Sequence, residues 1–258
     1  MRIASWNVNS LRVRLPHVLD WLAEHKPDVL GIQETKLPDD AFPSEALAEA
    51  GYQAVYTGQK TYNGVALLSR SPARDVVRDL EDYEDPQRRV VGGTVNGVRV
   101  LNLYVPNGQA VGSDKYEYKL GWLGALRKHL AAELAGHSRL VVMGDFNIAP
   151  EDRDVHDPEE WRDKILCSGP EREALGRLLE LELVDTFRLF DQPEAVFSWW
   201  DYRAAGFRRN RGLRIDLLLA SAAMAECCIA SAVDVAPRRL ERPSDHAPVF
   251  ADFELPGD

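Results

Sequence analysis

The chain has 258 residues, of which 45% are hydrophobic, and its formal net charge is −10. No apolar stretch approaches the roughly 20 residues that a membrane-spanning helix requires, which predicts a globular protein that does not cross a membrane. The acidic balance argues against nucleic-acid binding through overall charge, so any such binding needs a local positive cluster.

Signals for helices and strands continue from residue 2 to residue 255 without a low-complexity spacer, which predicts a single domain over 1–258. The N-terminus begins as a strand and lacks the apolar segment and cleavage site of a signal peptide. The three cysteines are odd in number and form neither a disulfide framework nor a CxxC metal pattern. These features favour the reducing cytoplasm. We expect a monomer, with 256–258 too short to form an interaction tail.

The first half of the chain alternates strand and helix patterns. A strand over 3–8 precedes a helix whose apolar residues between 15 and 22 fall at helical spacing, and Pro27 ends that helix. Further strands are predicted over 28–33, 52–56, 64–69, 90–95 and 98–105. Asn96-Gly97 between the last two is a strong hairpin signal.

The second half contains helix patterns over 116–134 and 171–181 and strand patterns over 140–146, 195–202, 214–220, 229–235 and 248–255. Strands outnumber helices, and short turns between several neighbours favour antiparallel pairing. The pattern predicts an α/β fold in which two packed mixed β-sheets are flanked by helices.

Several apolar strands end in polar residues that a core does not require. They are Asn7, Glu34, Tyr104 with Asn107, Asp145 with Asn147, Asp216, and Asp245 with His246. Because residues i and i+2 of a strand share a face, Asp145 and Asn147 are predicted to point the same way, beside a close approach at Gly144. Such a pair can hold a metal or a nucleophilic water, although turn-forming Asp and Asn also end strands in many proteins.

Glu34 and His246 extend this interpretation. A carboxylate that ends a buried strand must be solvated, paired or metal-bound, because burying it alone is costly; hard cations such as Mg²⁺ prefer carboxylate oxygens. An imidazole with a carboxylate partner stays protonated more readily, and Asp216 is the candidate partner of His246. The alternatives are a solvated strand end at Glu34 and a structural salt bridge at Asp216, for example to Arg214.

A cluster of arginines with no acidic residue among them supplies local positive charge. Its members are Arg203, Arg208, Arg209, Arg211 and Arg214. Bound to phosphates, such a cluster contributes affinity rather than sequence specificity; the alternative is a solvated charged loop. Lys60, Tyr62 and Asn63, in a loop flanked by glycines, are further candidate contacts.

Six motifs together resemble a known family. They are Trp6-Asn7-Val8-Asn9, Gln33-Glu34-Thr35-Lys36, Tyr104-Val105-Pro106-Asn107-Gly108, Gly144-Asp145-Phe146-Asn147, Arg214-Ile215-Asp216 and Ser244-Asp245-His246. In this order they resemble exonuclease III-type AP endonucleases of the endonuclease/exonuclease/phosphatase superfamily, over about 2–253. The stretches 58–68, 197–203 and 210–216 resemble the DNA-repair branch in particular.

The resemblance implies a four-layer α/β sandwich with the site at one rim. Glu34 would bind Mg²⁺, for which Mn²⁺ is a plausible substitute. Further groups close to the metal would be Asp245, Asn7, Asp145 and Asn147.

It also implies the catalytic roles. Asp145 would activate the attacking water, which Asn147 positions. His246, oriented by Asp216, would polarise the scissile phosphate. Tyr104 would contact the phosphate or assist the proton transfers, Asn107 would contact the DNA, and Asn7 would complete the catalytic group.

The implied substrate is double-stranded DNA with abasic sites or blocked 3′ ends. The expected reaction is hydrolysis 5′ to abasic sites, with 3′→5′ exonuclease and 3′-phosphodiesterase activities. Trp199, Leu213 and Ile215 match the family positions that line an apolar pocket for a flipped-out, baseless sugar, and flipping costs less where no base is stacked.

One stretch departs from the family pattern. Where some members carry a bulky basic wedge, residues 108–112 read Gly-Gln-Ala-Val-Gly, so we hypothesise that exonuclease activity is more prominent here. Two alternatives stay open: a phosphatase or phospholipase of the same superfamily, and a non-catalytic nucleic-acid-binding regulator on the same scaffold.

Overall fold

A computed structural model of the chain describes residues 1–255, and the prediction about 256–258 lies outside them. The strands are β1 Arg2–Asn7, β2 Val29–Gln33, β3 Gln53–Thr57, β4 Val65–Ser69, β5 Arg74–Val77, β6 Val90–Val95, β7 Val98–Tyr104, β8 Leu140–Asp145, β9 Val184–Asp185, β10 Trp199–Trp200, β11 Gly212–Leu213, β12 Asp216–Ala220, β13 Cys228–Val233 and β14 Val249–Phe253. The helices are α1 Leu11–His25, α2 Ser44–Glu49, α3 Asp114–Gly136, α4 Pro158–Trp161, α5 Gly169–Leu179 and α6 Ala222–Ala225.

Two six-stranded mixed sheets form the centre of the fold. One has the order β13-β14-β1-β2-β4-β3 and the other β5-β6-β7-β8-β12-β9. Each contains a parallel pair, β1 with β2 and β7 with β8. A helix crosses over within each pair, α1 in the first and α3 in the second, as parallel neighbours require.

Three apolar clusters stack the layers. Valine and leucine side chains from the facing sides of the sheets form the middle cluster, which includes Ile3, Val65, Val100 and Met143. Leucines and tryptophans of α1 cover the outside of one sheet, and those of α3 and α5 cover the other. The predicted arrangement of helix, sheet, sheet and helix is confirmed.

Local sequence explains several element ends. At the β6–β7 hairpin, Asn96 has a φ of 48° and Gly97 a φ of 76°, the two positive values that the predicted Asn-Gly turn needs. The Ser113 hydroxyl accepts a hydrogen bond from the backbone N–H of Tyr116 at the start of α3, and Lys26 ends α1 in the left-handed region just before Pro27.

The prediction of a strand over 195–202 was wrong in extent. Only Trp199–Trp200 pairs as a strand, with Gly212–Leu213, because neighbouring backbone groups bond to different segments. The Trp200 N–H donates to the carbonyl of Asp245, and the Ala247 N–H donates to the carbonyl of Ser198. The strand predicted over 214–220 is likewise shorter, starting at Asp216.

The short elements β5, α2, α4 and α6 were not predicted, since four to six residues carry little periodicity. Within residues 1–255, no helix combines the length and apolar character needed to cross a membrane.

Candidate active site

The strand directions bring the predicted strand-end residues to one rim. Because β1 and β2 run parallel, Asn7 at the end of β1 lies beside Gln33, immediately before Glu34. In the other sheet β7 and β8 run parallel and end side by side at Tyr104 and Asp145. The packing of the two sheets makes these ends neighbours, and the Asn7 amide donates hydrogen bonds to both Glu34 Oε1 and Asp145 Oδ2, each at 2.9 Å.

Antiparallel strands deliver the remaining two residues to the same rim. Asp216 begins β12 directly opposite Asp145, and His246 precedes β14, which pairs with β1. Glu34, Asp145 and His246 each place a ligand atom within 4.8 Å of the others. This is the one such three-residue group of His, Cys, Asp and Glu in the part of the chain that the structure describes.

Asp145 is a buried carboxylate held in a fixed orientation. Its Oδ1 accepts a hydrogen bond from the backbone N–H of Asn147 at 2.9 Å. Burial, with the nearby charge of Asp216, raises the pKa of Asp145 to about 7, although His246 and the Asn7 hydrogen bond act in the opposite direction. A carboxyl group with such a pKa can accept a proton near neutral pH.

His246 lies against the carboxylate of Asp216. Its Nδ1 lies 2.9 Å from Asp216 Oδ2, and its Nε2 lies 3.7 Å from Asp145 Oδ2. Burial by itself lowers the pKa of His246, but the Asp216 and Asp145 carboxylates raise it to about 10. The imidazole is therefore protonated at neutral pH, with Nε2–H directed towards the site.

Ser198 is a part of this arrangement that the sequence did not reveal. Its hydroxyl donates to Asp216 Oδ2 at 2.6 Å and accepts from the backbone N–H groups of Ile215 and Asp216, each at 3.0 Å. It fixes the carboxylate that orients His246. Ser198 lies in the stretch 197–203, but the pocket prediction for that stretch rests on Trp199 and assigns no role to the serine.

The salt bridge to Arg214 that was the alternative role for Asp216 does not form. The guanidinium of Arg214 is buried and bonds to Asp154 and Asp185, each at 2.7 Å. Arg214 therefore belongs to a buried ion-pair network and not to the predicted surface cluster.

Asn147 takes a different geometry from the predicted one. The strand ends at Asp145, and Asn147 has a φ of 50°, so the argument from shared strand faces was wrong. The chain turns back at this point, so that the backbone N–H of Asn147 donates to the Asp145 carboxylate. Asn147 Nδ2 donates to the carbonyl of Val105 at 3.0 Å, and its Oδ1 accepts from Asn107 Nδ2 at 3.1 Å.

Gly144 meets the expectation of a close approach. A Cβ at this position would lie 1.9 Å from the carbonyl oxygen of Leu103, and its φ is +149°. Positive φ values also occur at Asn9, Glu34 and Lys36. Such backbone conformations are costly for non-glycine residues and concentrate at functional sites.

Tyr104 lies at the end of β7, against the carboxylates. Burial, with the Glu34 and Asp145 charges, holds the pKa of Tyr104 well above its usual range. The Arg89 guanidinium carbon lies 5.0 Å from the centroid of its ring. Tyr104 is therefore a neutral hydroxyl donor beside the carboxylates.

The donor set fits a hard divalent cation. Glu34 and Asp145 offer carboxylate oxygens, the ligands that Mg²⁺ and similar ions prefer, usually with several waters retained. The Asp216 and Asp145 carboxylates raise the pKa of His246, which favours a cationic role for this imidazole over metal ligation. The oxygens of Asn7 and Asn147 accept hydrogen bonds from Asn9 N–H and Asn107.

Lys36 ends the motif of residues 33–36, and the sequence does not indicate its role. Its ammonium lies 2.9 Å from Glu34 Oε2 and also contacts Asn9 Oδ1. Asp245, predicted as a metal group, accepts hydrogen bonds from Asn9 Nδ2 at 2.9 Å and Trp199 Nε1 at 3.0 Å. Although burial favours its neutral form, His246 and these donors hold the pKa of Asp245 below its usual value.

The three predicted pocket residues meet beside Asp245. Leu213 and Ile215 are buried in an apolar cluster, and Trp199 packs partly exposed against it. Trp161 meets Trp199 edge-on, with ring centroids 6.4 Å apart. Trp161 gave no sequence signal, because it lies in a charged stretch.

A cleft of about 590 Å³ opens beside Tyr104, and Tyr62, Asn63 and Asn107 line it. Tyr62 is 68% exposed, and Lys60 is exposed on the same loop. Asn63 is buried and donates to the side chains of Gln59 and Gln87.

The arginine cluster is more neutralised than its sequence indicated. Arg203 pairs with Asp201 and Arg211 with Glu160. Arg208 and Arg209 are exposed. Asp201 is a local partner two residues before Arg203, whereas the pairing of Arg211 with Glu160, about fifty residues earlier, depends on the fold.

Known proteins resemble this chain over nearly its whole length. The endonuclease/exonuclease/phosphatase family matches residues 4–246. Exodeoxyribonuclease III of Haemophilus influenzae is 38% identical over 269 residues, which cover 98% of this chain and 100% of the relative.

Two solved structures superimpose over nearly the whole chain. The 3′ phosphatase NExo from Neisseria, bound to a product DNA hairpin, is 50% identical, covers 99% of this chain and 100% of its own, and gives a TM-score of 0.97. An AP endonuclease from Archaeoglobus fulgidus is 39% identical, with the same coverage and a TM-score of 0.95.

Proposed function

Because the chain belongs to the exonuclease III and AP endonuclease family of DNA-repair nucleases, we propose that it hydrolyses the phosphodiester 5′ to abasic sites in duplex DNA. The same centre would remove nucleotides and blocking groups from 3′ ends. The observation that carries this proposal is the opposition of a buried Asp145 carboxylate and a protonated His246 at one rim.

Asp145 is the proposed general base. Its pKa of about 7 suits it to take a proton from water that attacks phosphorus. The Asn147 N–H holds one oxygen of Asp145, leaving the other directed towards His246 and Asn7. A general base of this kind contributes about 10²–10⁴-fold to a rate.

His246 is the proposed electrostatic partner of the phosphate. Negative charge accumulates on the phosphoryl oxygens in the transition state, and a fixed N–H donor with positive charge stabilises it. Asp216 and Ser198 hold the ring so that Nε2–H faces the site. Tyr104 would donate to a phosphate oxygen or assist proton transfer.

Glu34 and Asp145, with Asp245, Asn7 and Asn147 nearby, are the residues proposed to hold a divalent ion, Mg²⁺ with Mn²⁺ as a substitute. When bound, such an ion supplies Lewis-acid stabilisation of the phosphate and its leaving oxygen. Lys36, on Glu34, balances the negative charge of this carboxylate group.

The proposed DNA contacts surround the rim. Lys60, Tyr62 and Asn63 would contact one side of the site, Asn107 its centre, and Arg203, Arg208, Arg209 and Arg211 the other. The pocket of Trp199, Leu213 and Ile215 would admit a baseless sugar and exclude an intact nucleotide by size. An extrahelical base costs unstacking energy, and the cost is least where the base is missing.

A second candidate function, in which removal of groups from 3′ ends is the main activity, has support of its own. The NExo structure that is 50% identical is named as a 3′ phosphatase. Residues 108–112 of this chain also lack the bulky basic side chain that some family members carry there. Removal of 3′ phosphates and 3′ nucleotides would then dominate over abasic-site incision. The chemistry at Asp145 and His246 would be the same.

The test uses three end-labelled duplexes under single-turnover conditions. One carries a tetrahydrofuran abasic analogue, one a 3′ phosphate and one a recessed 3′ hydroxyl. The analogue cannot undergo β-elimination, so a cut must be hydrolytic. Each reaction is run with Mg²⁺, with EDTA and with the Asp145→Asn variant.

Incision 5′ to the analogue that disappears with EDTA and with Asp145→Asn supports the main proposal. Faster loss of the 3′ phosphate than of the abasic strand supports the second balance. A protein that leaves all three duplexes intact while hydrolysing a phosphoinositide would overturn both.

A further inference from the structure

A buried ammonium group lies behind the candidate active site, outside the residues assigned to catalysis or DNA contact. Lys119, on α3, has a side chain that is 0% exposed. Its Nζ donates to the carbonyl of Asn147 at 2.7 Å, to the carbonyl of Asn107 at 3.2 Å and to Glu171 Oε1 at 2.5 Å. An ammonium group has three donors, and all three are used.

Two of these acceptors belong to the loops that carry site residues. The Asn107 carbonyl lies in the loop after β7, and the Asn147 carbonyl lies in the loop after β8. The loops also contact each other through the Asn107 and Asn147 side chains, and the Asn147 N–H bonds to Asp145. A shift of the Asn147 backbone would therefore move the N–H that holds the Asp145 carboxylate.

Packing around Lys119 leaves the loops little freedom. Gly108 has a φ of +89°, and a Cβ there would lie 3.1 Å from Lys119 Cδ and 2.9 Å from Ile165 Cδ1. The loop thus rests directly on the aliphatic part of the lysine, which fixes its distance from α3.

Glu171 compensates the charge and is itself well held. Its carboxylate accepts hydrogen bonds from the N–H groups of Leu166 and Ser168 and from the Ser168 hydroxyl. The pair is therefore fully bonded at both ends. Burial nevertheless lowers the pKa of Lys119, although the Glu171 charge opposes this.

Stability alone does not explain an ion pair at this place. A buried pair contributes little compared with apolar residues of similar volume, because desolvation cancels most of the attraction. An apolar replacement would, however, leave two loop carbonyls without a donor. We propose that Lys119 is a positioning residue for the nuclease reaction, which holds the Asn107 and Asn147 loops together so that Asp145 keeps its orientation. This inference rests on the proposed function.

The test compares neutral double variants with a matched control on the same helix. Lys119→Met/Glu171→Gln removes both charges and keeps a side-chain acceptor for the start of α5. Lys119→Gln/Glu171→Gln is a second neutral pair that keeps some hydrogen bonding, for use if the first does not fold. Lys128→Met makes the same change at an exposed position of α3.

Three measurements are made on each protein: the single-turnover cleavage rate, DNA affinity in EDTA, and amide hydrogen exchange in EDTA without DNA. We expect cleavage by a folded double variant to fall about 100-fold, since a displacement of about 1 Å can cost that much. DNA affinity should fall far less than the cleavage rate, because Asn107 is one of many proposed contacts, and exchange should accelerate over 105–109 and 146–149. Lys128→Met should match the wild type in all three.

A folded double variant with wild-type cleavage and wild-type exchange would overturn the inference and leave Lys119 a purely structural residue. A loss of cleavage with equal loss of DNA affinity would also overturn it. If wild type and Lys128→Met both leave the DNA intact, the proposed function fails. The exchange measurement then still decides whether Lys119 couples the two loops.

Discussion

Charged residues are arranged differently around the two ends of strands β1 and β7. At the starts of the strands, Arg2 forms a two-pronged pair with Asp252, and Arg99 forms one with Glu133, with nitrogen–oxygen distances of 2.6–2.8 Å. At their carboxyl ends, several carboxylates converge on His246 and Lys36.

The difference appears in the pKa values. Although burial raises the pKa of Glu133, the Arg99 guanidinium holds it below its usual value. At the rim, burial raises the pKa of Asp145 to about 7 despite His246. A carboxylate held by both prongs of a guanidinium stays ionised, whereas carboxylates that crowd around one imidazole leave a group ready to exchange protons near neutral pH. Perturbed groups in a cleft mark functional sites for this reason.

The largest expected effect follows from removing the carboxylate of Asp145 at the rim. Asp145→Asn should lower the single-turnover cleavage rate by at least about 1,000-fold, within the range for loss of a general base. A raised pKa means that the folded state binds the proton more tightly, so stability is lost as pH rises from the unfolded pKa of about 4 to the folded pKa of about 7, and the loss is complete above it.

In EDTA at pH 8, Asp145→Asn should therefore unfold at an equal or higher urea concentration than the wild type. Urea unfolding followed by circular dichroism measures this. A clear loss of stability, or cleavage close to wild type, would contradict the contrast between the two ends.

The next effect removes the orienting carboxylate. Asp216→Asn should slow cleavage by about 100-fold, because the imidazole loses its fixed orientation and part of its charge. The raised pKa of His246, about 10, depends on this carboxylate, so the variant's imidazole should lose its proton at lower pH.

Nuclear magnetic resonance of the histidine ring in EDTA tests this shift. The stability that the protonated ring contributes is fully present below its unfolded pKa and is lost as pH rises through its folded pKa. That loss should occur at lower pH in Asp216→Asn. An unchanged titration would show that Asp216 is not the main source of the raised pKa.

The third effect follows from removing the Arg99–Glu133 ion pair at the start of β7. Glu133→Gln should lower the free energy of unfolding at pH 7 by about 2 kcal/mol, typical of a hydrogen bond to a charged group, and leave cleavage unchanged. Because the pKa of Glu133 is depressed, its stabilisation is present above the unfolded pKa and is lost as pH falls through the folded pKa.

Urea unfolding at a series of pH values between 7 and 3 checks the direction. The difference between wild type and Glu133→Gln should shrink on acidification. A difference that grows as pH falls, or a variant with impaired cleavage, would mean that the distal pair is coupled to the site.

The smallest expected effect sharpens the idea of matched and unmatched charges on the DNA-facing surface. Arg209→Ala should weaken DNA binding several-fold in EDTA and reduce the slope of affinity against salt by about 1. Arg203→Ala should do less, because Asp201 already neutralises part of its charge. Fluorescence anisotropy at several salt concentrations compares them, and equal effects would argue against partial neutralisation by Asp201.

The sequence by itself determined the layers and the list of strand-end residues. Apolar strands stop at Asn7, Gln33, Tyr104 and Asp145, and the polar groups there had no role in a core. The parallel pairing that brings these strand ends to one rim came from the structure and not from the sequence pattern. The partnership of His246 with Asp216 followed from the chemistry of an imidazole and a carboxylate.

Only the tertiary structure decided which charges meet. Arg214 bonds to Asp154, sixty residues earlier in the chain, and Lys119 bonds to Glu171 across two helices. No local period encodes such pairs, because each depends on the packing of separate elements. The turn at Asn147 likewise depends on Val105 and Asn107 in a neighbouring loop, so the strand pattern could not give the conformation of this residue.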